Sequence, residues 1–131
     1  MLRTLTVALA ATGLSLLTLQ PASAADAAKE IATAAAHAGM GAASGDIMMV
    51  HAHLHHVLNC LEGPGGKDYD ASQANPCKDQ GMGAIPDADA ATKAKLEGAA
   101  MMAKGGLGEN DLAKAKEHAA EVQAALKQAA M

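Results

Sequence analysis

The stretch Ile47-Met48-Met49-Val50-His51-Ala52-His53-Leu54-His55-His56-Val57-Leu58-Asn59-Cys60-Leu61-Glu62 decides how this chain folds. At about 100° per residue, the consequence of a 3.6-residue turn, Ile47, Val50, Leu54, Val57, Leu58 and Leu61 gather in one sector. That sector is about 100° wide, the width of stripe a helix turns toward a core. Ser44 or Asp46 supplies an N-cap before it, and Gly63-Pro64-Gly65-Gly66 ends it. The segment reads as one amphipathic helix from Ile47 to Glu62.

The flanking sequence repeats this pattern. Residues 26–43 are dominated by Ala, the best helix former, and are interrupted by Gly39 and Gly41. Asp87 and Asp89 open a third helix through Thr92, Leu96 and Met101 to Lys104, which Gly105-Gly106 is expected to end. Glu109-Asn110-Asp111 opens a fourth, with Leu112, Ala115, Ala119, Val122 and Leu126 on one stripe. β-Branched and aromatic residues are too few to support strands; the chain has no Phe or Trp and one Tyr. The expectation is an all-α fold, a small antiparallel bundle of about four helices.

Between Gly63 and about Pro86 lies a stretch rich in Gly, Pro, Asp and Asn, too long for an ordinary connector. Cys60 and Cys77 are the only cysteines, and a lone pair in an exported protein is expected to form a disulfide. That bridge pins the long loop to the second helix. The pair is neither CxxC nor CxxCH, so c-type haem attachment is excluded.

Residues 1–24 read as a cleaved secretory signal. Arg3 is the charged n-region, Leu5 to Leu19 the apolar h-region, and Ala22-Ser23-Ala24 an A-x-A cleavage site. The apolar run is shorter than a membrane span requires. The expected product is a single helical domain, residues 25–131, periplasmic or secreted, with no stable membrane insertion. It carries nine lysines against fourteen acids, a net charge of −5. An acidic chain without stacking aromatics does not suit nucleic acid.

The segment His51-Ala52-His53-Leu54-His55-His56 holds four of the chain's six histidines. Imidazole is the commonest protein metal ligand, and four imidazoles on one and a half turns point to metal binding. All four avoid the apolar sector. His51 and His55, four apart, share a flank with Met48; His53 and His56, three apart, share the other with Met49 and Cys60. Residues at these spacings are neighbours on a helix, so each pair can grip one ion. The two pairs cannot meet at one ion while the helix stays regular, so each requires further ligands from another helix, the loop or a second subunit. His51 and His55, with Met48, are the leading candidates. His53 and His56, with Met49, form the second, and His37 and Met40 make a further i, i+3 pair in the first helix.

Methionine is the natural filler of a core lacking aromatics, and that is the plain expectation for most of the seven beyond the initiator. As ligands, thioethers select Cu(I), whereas imidazole suits Zn, Cu, Ni and Fe. The combined inventory leans to copper, with zinc and nickel as alternatives, in a buffer, carrier or resistance factor that meets a delivery partner or a second copy of itself.

Catalysis has little support. H-E-x-x-H is absent because Ala52 follows His51, and no Glu-x-x-His serves a di-iron centre. Asp68, Asp70, Ser72 and Asp79 echo a calcium loop, but Gln73 stands where the turn needs Gly, so turn chemistry is the expectation. Two rivals compete with the ion carrier. One is a b-type haem held by His118 and Met48 or Met40 inside the bundle. The other is a helical module whose histidines charge near pH 6 and alter an interface with a partner.

Overall fold

A computed structural model describes residues 26–131; the signal-sequence expectation for residues 1–24 lies outside them. The described residues are all-helical: α1 (Ala27–Ala43), α2 (Ile47–Glu62), a single-turn α3 (Ala84–Asp87), α4 (Ala90–Leu107) and α5 (Leu112–Ala129). Each of the four long helices starts at an aspartate whose carboxylate accepts from the first-turn backbone. Asp26 accepts from Lys29, Asp46 from Met48, Asp89 from Ala91 and Thr92, and Asp111 from Lys114. An acidic N-cap also meets the positive end of the helix dipole.

The long helices form a four-membered ring in chain order: α1 packs on α2, α2 on α4, α4 on α5, and α5 back on α1. The interior is small and aliphatic. Val50, Leu54, Val57, Leu58 and Leu61 of α2 meet Ile31, Ala34 and Ala38 of α1, Leu96, Ala99 and Ala103 of α4, and Ala115, Ala119, Val122 and Leu126 of α5. The helices close on one another because alanine and glycine let their backbones approach.

Two expected helix interruptions do not occur. Gly39 and Gly41 lie inside α1, and Gly105 and Gly106 lie inside α4, which runs on to a cap at Gly108. Packing overrides propensity at these sites. A Cβ on Gly106 would lie 2.6 Å from Leu54 Cδ1 and 3.0 Å from His118 Cβ, so α4 can sit this close to α2 and α5 only without one. Gly41 is likewise buried, where a Cβ would meet those of Ala119 and His53 at 3.4 Å.

The expected disulfide joins Cys60 of α2 to Cys77 of the loop, and both are buried. Asn59, fully buried beside it, anchors the same loop: its Nδ2 donates to the carbonyls of Asp70 and Ala74, and its Oδ1 accepts from Asp70 N–H. The loop's ends pinch together at Gly63 (φ 63°) and Gly83 (φ 120°). Both are left-handed conformations that favour glycine, and a Cβ on Gly63 would collide with the Met82 carbonyl. Asp70 accepts from both N–H and Oγ–H of Ser72, the expected turn chemistry.

Candidate metal centre

The turn Ser44-Gly45-Asp46 folds α1 back on α2, and the pair is antiparallel: His37 lies against His53 and His56, and Gly41 against Val50 and His53. α2 brings His53 and His56 to one flank because they are three apart. α1 adds His37 from across the hairpin. The Nδ1 of His37 stands 3.3 Å from that of His53 and 3.3 Å from that of His56. The three rings are mutually tilted or edge-on, with centroids 5.1–5.6 Å apart, and all three residues are half-buried.

This arrangement is poorly served by hydrogen bonds. A neutral imidazole nitrogen carries either one proton or one lone pair, so at His37 Nδ1 a single in-plane group must serve two partners. Charging the rings does not help. Burial, reinforced by the neighbouring His56 and His53, pushes the His37 pKa below its ordinary value, and burial with His53 and His55 does the same for His56. Neutral rings with convergent nitrogens are what a metal ion requires. Metal–nitrogen bonds of about 2.0–2.1 Å at tetrahedral angles place ligand nitrogens about 3.3–3.4 Å apart, the spacing from His37 Nδ1 to each of the other two, and all three residues offer ligand atoms within 4.8 Å of one another. Among the described residues, this is the only group of three His, Cys, Asp or Glu side chains close enough to share an ion. His37, His53 and His56 can therefore hold a metal ion.

The other histidines lie beside different neighbours. His51 Nε2–H donates to the Glu109 carbonyl at 3.0 Å, tying α2 to the turn before α5. His55 Nδ1 lies 3.7 Å from the Asp70 carboxylate in the loop. The two are not joined by a third ligand of these types. His118 sits between Glu109, at 3.8 Å, and Glu121, at 3.9 Å.

The methionines overturn an expectation outright. None fills the core: Met40, Met48, Met49, Met82, Met101, Met102 and Met131 are all exposed, from 39% to 97%. Alanine makes the interhelical gaps too narrow for a long thioether, so the methionines lie outside. With Met40 and Met48 on the surface, neither is an inward axial ligand, and the haem arrangement loses the methionines it requires.

His37 completes the triad; helical spacing within α1 pairs it only with Met40. A signal was available. With a three-residue turn centred on Gly45, antiparallel helices place residue 37 opposite residue 53. No protein-family model, curated protein or solved structure matches the chain.

Proposed function

We propose that this protein is an exported carrier or buffer for a transition-metal ion, with copper favoured, and that His37, His53 and His56 hold the ion. The observation that carries the reading is the convergence of three imidazoles from two helices, with His37 Nδ1 3.3 Å from the Nδ1 of each of the other two and all three ligand atoms within 4.8 Å of one another. Surface imidazole pairs arise readily on any polar helix face; a three-ring convergence across a hairpin does not. Three protein ligands leave at least one coordination position for water or a donor from a delivery partner, which suits exchange more than permanent storage.

Copper is favoured on ligand grounds. Nitrogen sites bind Cu(II) more tightly than the neighbouring divalent metals, and thioether donors select Cu(I); this surface carries seven methionines. A disulfide is at home in an oxidising compartment, and no helix among the described residues is long and apolar enough to cross a membrane. Both are compatible with export.

The test is metal titration of single variants. His37→Ala and His53→Ala are each expected to weaken Zn(II) or Cu(II) binding by about tenfold or more, the minimum for losing one of three ligands. His51→Ala and His55→Ala are expected to leave it within about twofold. Equal losses in all four variants, or no loss at His37, would overturn the triad as the site.

A further inference from the structure

The flank that carries the triad continues toward the hairpin turn as methionine. Met40 follows His37 by three residues on α1, and Met49 precedes His53 by four on α2. At those spacings each thioether neighbours an imidazole on its own helix. Both steps run toward the 44–46 turn, because α1 ends there and α2 begins there. The register agrees: Gly41, adjacent to Met40, lies against Val50 and His53, one and four residues after Met49. Met40 and Met49 therefore both lie on the turn side of the triad, Met40 one turn from His37, and Met49 one turn from His53 and two from His56. Packing does not account for either side chain, since they are 43% and 49% exposed while the triad beneath is half-buried.

We infer that Met40 and Met49 form a soft-metal entry position that captures Cu(I), or a similar soft monovalent cation, and passes it to the His37–His53–His56 triad. The inference rests on the triad as the metal site and adds the oxidation state and the route. Thioether sulfur is neutral, polarisable and indifferent to pH. It holds soft monovalent copper and discriminates against the harder divalent ions that imidazole also accepts. Two exposed sulfurs form a weak, open site able to release its ion; the imidazoles below form the tighter one. The ion stays monovalent throughout, so no oxidant or reductant is required. Divalent ions bypass the methionines and reach the imidazoles directly.

The test uses Ag(I) as a redox-inert probe of soft monovalent binding and Zn(II) as a probe of the triad alone. In wild-type protein with 13C-labelled methionine methyl groups, Ag(I) is expected to shift the Met40 and Met49 resonances. The other exposed methionines serve as internal controls and should not move. The double variant Met40→Leu/Met49→Leu keeps apolar side chains at two surface positions, so the fold is expected to persist. It should bind Ag(I) about tenfold more weakly or worse, while Zn(II) affinity stays within about twofold. An unchanged Ag(I) affinity in that variant overturns the methionine pair, as does a parallel shift of all the methyl groups. Failure of the wild-type protein to bind Zn(II) overturns the triad itself, and with it the transfer to the imidazoles, whatever the methyl groups show.

Discussion

Glu30 is fully buried in α1, with Oε1 accepting from Gly83 N–H at 3.0 Å and Oε2 without a partner. Burial is the main cause that raises its pKa from 4.5 to about 7, and the nearby Asp87 and Asp26 carboxylates add to it, against the Gly83 hydrogen bond. A carboxyl whose folded pKa is raised contributes stability that is present in full below 4.5 and lost as pH rises through about 7. His37 and His56 act in the opposite direction, over a range that overlaps that of Glu30 below pH 6.5. Their lowered pKa values leave their contribution intact above about 6.5, to be lost as pH falls below it. In thermal unfolding of the metal-free protein the two effects therefore oppose each other in that range, Glu30 lowering stability as pH rises and the histidines raising it. Glu30→Gln, which cannot ionise, is expected to remove the loss between pH 4.5 and about 7, so that stability rises more steeply with pH there than in the wild type. An unaltered profile between pH 4.5 and about 7 in that variant would show that Glu30 does not carry the loss.

At the scale of the helix, two glycines of α4 answer to different constraints. Gly98 has nothing within 4 Å of the position a Cβ would occupy, whereas Gly106 faces Leu54 and His118 at 2.6 and 3.0 Å. Alanine in a helix interior is worth up to about 1 kcal/mol over glycine. Gly98→Ala should thus stabilise the protein by about 0.5–1 kcal/mol. At Gly106 the same gain is outweighed by overpacking, which costs about 1–3 kcal/mol in a filled core. The prediction is opposite signs for one substitution in one helix, read by chemical denaturation. A stabilised Gly106→Ala variant would mean that α4 can move away from α2 at little cost. The same close packing explains why α1 and α4 run through glycines that, by local propensity, should have ended them.

At the scale of the molecule, the loop from Gly63 to Gly83 is held by the Cys60–Cys77 bridge, the Asn59 amide and the Gly63–Gly83 pinch. An alanine-rich interior buries little apolar area per residue, so a covalent restraint on the unfolded chain carries more of the stability than in a domain with aromatic packing. Cys60→Ser/Cys77→Ser is expected to cost about 3 kcal/mol, the chain-entropy value for a loop of this size. The loss is measured as the difference in unfolding free energy. A loss near zero would show that Asn59 and the glycine pinch close the loop without the bridge. Cys60 also lies one turn from His56 on α2, so the same restraint steadies the end of the helix that supplies two of the three imidazoles.

The four long helices, the caps at Asp89 and Asp111, the apolar face of α2 and the cysteine pairing were determined by sequence, because each follows from rules that act within a few residues: the 3.6-residue period, the unsatisfied N–H groups of a first turn, and the presence of a single cysteine pair. Asp26, the choice of Asp46 over Ser44 and the single-turn α3 emerge only in the structure. The course of α1 and α4 through their glycines was decided only by tertiary contact, where Gly41 and Gly106 admit a neighbouring helix. The choice among the histidines was decided the same way. The period of α2 separates His51 and His55 from His53 and His56, but it does not say which flank meets a third ring; that depends on the hairpin register, which sets His37 against His53 and His56 and leaves His51 and His55 to Glu109 and Asp70. The role of core filler that a chain without large aromatics implies for methionine also fails, because the alanines of the core leave it no room. Side-chain chemistry proposes ligands one helix at a time, whereas an ion joins side chains that only the packing of two helices brings within a bond length of one point.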